Sequence, residues 1–162
     1  MADNVLINLG VDFGTRFTKV CARSEGIGTT VVDFGGTGLD GMLTQSAIVL
    51  EDGGKISVPS PGAPDVSENR IAYLKMALAD RGDLDVKAEP KRKPKESKYL
   101  EQALSGVFIA EVVRRSKEWI LDSWKDEIGG REVTWSANVG LPVEHFEKDD
   151  VRARFQEAIA VG

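Results

Sequence analysis

Residues Leu6 to Val20, reading LINLGVDFGTRFTKV, constrain this chain more than any other stretch. Apolar runs stand on either side of a short polar turn, the pattern of two strands closed into a hairpin. Asp12 closes the first strand, and Gly14 lets the backbone turn tightly. At such a turn the amides of Gly14, Thr15 and Arg16 can converge on one anion. A bare carboxylate repels a polyphosphate unless a hard cation lies between them, so Asp12 is expected to face a magnesium ion. Lys19, seven residues beyond Asp12, can add a point charge to the phosphates from the returning strand. An Asp-x-Gly turn between apolar strands is also an ordinary hairpin, and the turn alone leaves both readings open.

Size and charge bound the rest. A chain of 162 residues is one domain in length and can bury a real core. Its formal net charge of −5 gives no overall attraction to nucleic acid or to a membrane surface. No run approaches the roughly 18 apolar residues of a membrane helix. The opening Met1-Ala2-Asp3-Asn4 lacks the basic region of a secretory signal. A soluble, cytoplasmic protein is therefore expected. Cys21 is the only cysteine, so an internal disulfide is impossible, and its place in an apolar strand predicts a buried, inert thiol. With one Cys and one His, His145, the chain cannot furnish the four ligands of a structural zinc site.

Along the chain, Val5 to Val11, Phe17 to Ala22 and Thr29 to Phe34 read as three strands in meander order. Ala47 to Leu50 and Ile56 to Val58 form a hairpin around Asp52-Gly53-Gly54, ended by Pro59, Pro61 and Pro64. Ile71, Leu74 and Leu78 recur at helical spacing, which predicts a helix from about Val66 to Leu78 with Ser67 as N-cap. From about 80 to 98 the pattern breaks. Lys87 to Lys98 holds two prolines, six basic and two acidic side chains, and reads as a solvated, mobile basic insertion. A long helix from near Tyr99 to Ile128 follows, with a wide apolar face that includes Trp119 and Trp124 as core residues. Gly129-Gly130 ends it, Val133 to Val139 returns as a strand, and a short amphipathic helix starts near Val151 after Glu147, Asp149 and Asp150.

The Asp-x-Gly-Thr-x-x-x-Lys spacing at Asp12, Gly14, Thr15 and Lys19 resembles the first phosphate motif of the actin-like ATPase superfamily, which includes heat-shock chaperone ATPases, actins and many sugar kinases. Ser46-Ala47-Ile48-Val49, the Glu51 to Lys55 turn, Tyr73-Leu74-Lys75, and the strand into Leu141-Pro142 followed by Phe146 and Gln156-Glu157-Ala158 look like landmarks of the heat-shock chaperone, DnaK-type, ATPase domains. The resemblance implies an α/β fold, the ribonuclease H-like first lobe of an actin-like ATPase. This is a mixed sheet with flanking helices, here lacking its last strand and the second lobe. Residues 1–162 would then be an incomplete N-terminal lobe. ATP and Mg2+ are the implied cofactors, with Gly14, Thr15, Arg16 and Lys19 as nucleotide-binding residues and Asp12 as the metal-facing carboxylate.

Two departures from the family bear on mechanism. The chaperone ATPases usually carry a small polar residue where this chain has Arg16. They also use a lysine between the inserted hairpin and the first helix to orient attack on the γ-phosphate. Around Gly62 to Asp65 there is none, and Lys75 reads as a packed or solvated helix residue. Val31 to Gly38, VVDFGGTG, looks like the family's second phosphate motif but follows Asp12 by only 21 positions, so it reads as a strand-to-loop transition. The leading expectation is an ATP-binding, chaperone-like ATPase fragment, inactive alone, whose partners are a nucleotide and either a missing C-terminal segment or another protein, and neither nucleic acid nor membrane. The alternatives are a noncatalytic interaction module using an open sheet edge at Val133 to Val139, and a fragment of a sugar kinase of the same superfamily.

Overall fold

Burial alternates along the first strand as its sequence requires. In β1 (Val5–Phe13) the side chains of Val5, Ile7, Leu9, Val11 and Phe13 are buried, while Leu6 on the other face is 51 % exposed and Asp12 is open to solvent. The computed structural model describes residues 4–52, 55–64, 69–79, 85–86, 94–140 and 148–161. β2 (Phe17–Ser24) returns antiparallel to β1 and places Thr18, Val20, Ala22 and Ser24 on the same buried face. Cys21 lies on the opposite face and is half-buried, not enclosed as the apolar context suggested, because the even positions of β2 point to the core.

β3 (Gly28–Val31) pairs antiparallel with β2, and β4 (Thr44–Gln45) takes the same edge of β2 nearer the hairpin tip. β9 (Val133–Val139) lies on the other side of β1 and runs parallel to it, with Val5 opposite Val133 and Val11 opposite Val139. The resulting order, β3-β2-β1-β9, makes a mixed sheet with β9 at its edge. Parallel pairing demands a crossover, and the crossover contains the long helix. That helix, α2 (Pro94–Ser123), and the one-turn α3 (Lys125–Ile128) bury Leu104, Phe108, Ile109, Val112, Ile120 and Ile128, with Trp124 buried at their junction, while Trp119 packs half-buried against the core. Gly129, at φ 60°, closes α3 in the left-handed conformation that a Cβ disfavours. The last helix, α4 (Asp149–Val161), packs against α2 and supplies Val151, Phe155 and Ala158 to the core. Phe13 stands with its ring centroid 5.4 Å from that of Phe108 and 6.5 Å from that of Phe155, so one side chain ties β1 to both helices.

A second, smaller antiparallel sheet has the order β6-β5-β7-β8. β5 (Ile48–Leu50) and β6 (Ile56–Ser57) form the expected hairpin. β7 (Arg70–Ala72) corrects the helix expected over 66–78: Ile71 pairs with Ile48 and Arg70 with Val49, and the helix, α1 (Leu74–Leu78), starts only after them. Ladder pairing to β5 decided the conformation, since Ile71 is buried in either arrangement. The proposed Ser67 cap lies outside the described residues. Within the stretch read as a basic insertion, β8 (Asp85–Val86) pairs with β7, and α2 begins at Pro94. No helix among the described residues is long and apolar enough to cross a membrane.

Candidate functional site

The β1–β2 ladder runs down to Phe13 opposite Thr18, which puts Asp12 directly across from Lys19. Cross-strand partners hold their Cβ atoms about 4.5–5.5 Å apart. Asp12 and Lys19 are both exposed, so a carboxylate and an ammonium share one open patch on the sheet face turned away from Phe13 and Val20. The turn itself is Gly14-Thr15-Arg16. A Cβ on Gly14 would lie 2.2 Å from the carbonyl oxygen of Phe17, a backbone atom that cannot step aside. Gly14 is thus required by close approach of two chain segments.

The tip is anchored from behind. The Ser46 amide donates to the Arg16 carbonyl at 2.8 Å, and the buried hydroxyls of Thr18 and Ser46 are hydrogen-bonded at 2.9 Å. These contacts join the turn to the link between β4 and β5, so its geometry is set before any ligand arrives. Beside the tip lies a cavity of about 120 Å³, lined by Thr15, Arg16 and Phe17 of the hairpin, Gln45 of β4, and Arg70 and Tyr73 at the two ends of the β7–α1 step. Arg70 Nη2 donates to Gln45 Oε1 at 3.2 Å, and Gln45 Nε2 donates to the Ala63 carbonyl at 2.7 Å.

Tyr73 has φ 59° and ψ 28°, the one left-handed conformation among the described non-glycine residues. A bulky residue there costs on the order of 1–2 kcal/mol. The strain lets the chain leave β7 and enter α1 within one residue, with Lys75 on the first turn. Lys75 is half-buried; burial lowers its pKa, and the nearby Asp12 carboxylate opposes that shift. The sequence pattern makes Lys75 a packing or solvated residue; the electrostatic influence of Asp12 on its amine makes it a candidate member of the site.

Of the residues expected from sequence, the structure therefore gathers Asp12 and Lys19 on one patch and Thr15 with Arg16 at the cavity, with Gly14 between the two groups. Among the described residues no group of three or more His, Cys, Asp and Glu side chains converges as a metal cage. A single open carboxylate fits the other common arrangement, in which magnesium is held by one or two carboxylates, by water and by substrate phosphates. His145 lies outside the described residues.

The second glycine-rich stretch is a folded loop. β3 stops at Val31, the Asp33 carboxylate accepts from the Gly35 amide at 2.8 Å, and the Phe34 amide donates to the Gly41 carbonyl at 2.7 Å. A Cβ on Gly36 would meet the Gly41 Cα at 2.8 Å, so these glycines serve packing within the loop. Neither the protein-family models nor the curated proteins compared with this chain include a match.

Proposed function

We propose that the chain binds the phosphates of magnesium-bound ATP at the β1–β2 hairpin, as the first lobe of an actin-like ATPase of the DnaK type. The observation that carries this reading is Asp12, held open near the tip of a hairpin whose next turn rejects any side chain at Gly14, with Lys19 opposite and Lys75 within electrostatic reach. Three strands in meander order, with β9 added parallel to β1 at the far edge, support the opening part of a ribonuclease H-like lobe. Magnesium, when bound, would neutralise phosphate charge beside Asp12. The amides of Gly14, Thr15 and Arg16 would cradle the phosphate oxygens, and Lys19 would add charge from the returning strand. The lysine that the family resemblance implies ahead of the first helix has no counterpart, and Lys75, on the first turn of α1, would add charge within electrostatic reach of Asp12. The adenosine side of the cleft is to come from a C-terminal segment or a partner protein. Phosphoryl chemistry in such sites is positioning and electrostatics, so this lobe alone is close to inactive.

Titration of Mg-ATP into the chain by calorimetry tests the reading. Weak binding is expected, with Asp12→Ala and Lys19→Ala each lowering affinity about tenfold, or about 1.4 kcal/mol. Equal binding by the wild type and both variants removes the phosphate hairpin.

A second reading is favoured by one observation: among the described strands β9 pairs only with β1, leaving its outer edge to another strand. On that reading the chain is an interaction module, and a strand partner raises its stability with no effect on nucleotide affinity.

A further inference from the structure

The apolar face of the main sheet reaches its edge before it is covered. By the parallel register, Val133, Trp135, Ala137 and Val139 of β9 stand beside Val5, Ile7, Leu9 and Val11 of β1, on the face that packs on the helices. All four β1 residues are buried, whereas Val133, Trp135 and Val139 are half-buried and Ala137 is exposed. Lys117 of α2 lies 5.5 Å from the centroid of the Trp135 ring, which keeps the indole on the helix side. The main chain divides the same way. The Glu132 carbonyl accepts from the Val5 amide and the Gly140 amide donates to the Val11 carbonyl, so Thr134, Ser136 and Asn138 turn their groups to β1. Those of Val133, Trp135, Ala137 and Val139 point outward. None of the seven residues of β9 is charged and none is proline, so the edge lacks the usual guards against pairing. We propose that two copies of this chain pair through β9, antiparallel about a two-fold axis at Ser136, into one continuous sheet. Self-pairing rests on the open-edge reading of β9 and is independent of the nucleotide site.

The strand itself selects a second copy. Centred on Ser136, the run VTWSANV is complementary to its own reverse. Val133 meets Val139 of the second copy, Trp135 meets Ala137, and Thr134 meets Asn138. Apolar therefore faces apolar, polar faces polar, and the largest side chain faces the smallest. The outward groups of Trp135 and Ala137 oppose each other, as do those of Val133 and Val139, and each such pair exchanges both N–H···O bonds. Ser136 takes the non-bonded place on the axis, with its hydroxyl turned to β1 as donor to the Asn8 side-chain oxygen. Only this centre pairs the whole strand with itself; at residue 135, indole would face indole. Two chains of formal net charge −5 repel at a distance, and an uncharged strip is where they can touch. An isologous contact of this kind closes at two copies and does not propagate.

Sedimentation of the whole chain from micromolar to millimolar concentration is expected to show a monomer–dimer equilibrium. Ala137→Lys, at an exposed position that the fold tolerates, sets an ammonium opposite Trp135 of the second copy and should weaken association about tenfold or more. A dimer of unchanged strength in that variant overturns the proposal. Cysteine pairing under a mild oxidant, in a Cys21→Ser background, reads the register. Non-hydrogen-bonded antiparallel partners stand about 4.5 Å apart at Cα, within disulfide reach, so Ser136→Cys should link two copies. Thr134→Cys, whose counterpart is Asn138, should not, and linking by it as readily as by Ser136→Cys overturns the two-fold at Ser136. Amide hydrogen exchange separates self-pairing from the open edge on which it rests. The Trp135 and Ala137 amides should exchange fast in the dilute monomer and slowly in the concentrated protein. Fast exchange in a chain that stays monomeric at every concentration overturns self-pairing and leaves the edge to a different strand. Slow exchange in the monomer means that the chain covers its own edge, which overturns both.

Discussion

Gly14 and Lys75 carry most of the site's local logic. Gly14→Ala drives a methyl group into the Phe17 carbonyl, and the hairpin must shift to relieve it. A loss of about 1–3 kcal/mol in chemical denaturation is expected, the range of an overpacked position, together with loss of Mg-ATP binding. Wild-type stability in Gly14→Ala contradicts the close approach. Lys75 makes a prediction in pH. Its amine titrates below the ordinary 10.5 because burial disfavours the ammonium. The unfolded chain therefore binds more protons between the folded and unfolded pKa values, and stability rises with pH across that window. The cost of the charged amine is fully present below the folded pKa. Asp12→Asn removes the charge that opposes the shift, so the Lys75 pKa should fall further, which side-chain NMR titration reads directly. An unchanged Lys75 titration separates the two residues and breaks the cluster. At this scale the sequence disclosed the hairpin residues because they sit within eight positions of one another. Lys75, Arg70 and Gln45 join them only through sheet pairing, Arg70 with Val49 and Gln45 with Phe17, which no local pattern announces.

Element by element, legibility followed length. β1, β2 and β9 repeat their alternation often enough to read, and β9 spans the expected Val133 to Val139. β7 has three residues and β8 two, too few for a period of two to compete with the helical spacing of Ile71, Leu74 and Leu78. β3 ends three residues earlier than the apolar run because the Asp33 side chain captures the Gly35 amide and turns the chain. Helix α2 was recognised by its apolar face, and its polar face carries a second pH-dependent device. Glu111 is hydrogen-bonded by Arg114 at 2.8 Å through both oxygens and by Arg115, which also donates to the Val58 carbonyl and so pins α2 to the end of the β5–β6 hairpin. The Arg114 bond, with Arg115 adding to it against the cost of burial, holds the Glu111 carboxyl at about 2, below its ordinary 4.5. Its contribution is present above about 4.5 and is lost as pH falls through about 2. Thermal melts of Glu111→Gln should lie below the wild type at neutral pH and approach it near pH 2, with a constant gap between the two proteins speaking against this pairing.

For the whole molecule, one aromatic cluster holds the sheet to its helices. Phe13, Phe108 and Phe155 are all fully buried, and Phe13 stands one residue from both Asp12 and Gly14. Phe13→Ala should cost about 3–5 kcal/mol, a large share of the roughly 5–15 kcal/mol that holds an ordinary domain together. Urea denaturation should show that loss, and a cost under 1 kcal/mol would mean that the hairpin is not seated on the helices as described. The mixed α/β class was readable from the order of apolar runs. The meander of the first three strands was readable too, whereas the parallel pairing of β9 with β1 was not, because the two meet across more than a hundred residues and parallel pairing leaves no turn signature. The central claim is that main-chain amides beside one carboxylate receive a metal-bound polyphosphate, and amide NMR tests it most directly. The amides of Gly14, Thr15 and Arg16 should shift on addition of Mg-ATP and broaden when manganese replaces magnesium, with signals of the β5–β6 hairpin unmoved. Resonances of the turn that stay in place at saturating Mg-ATP would contradict it.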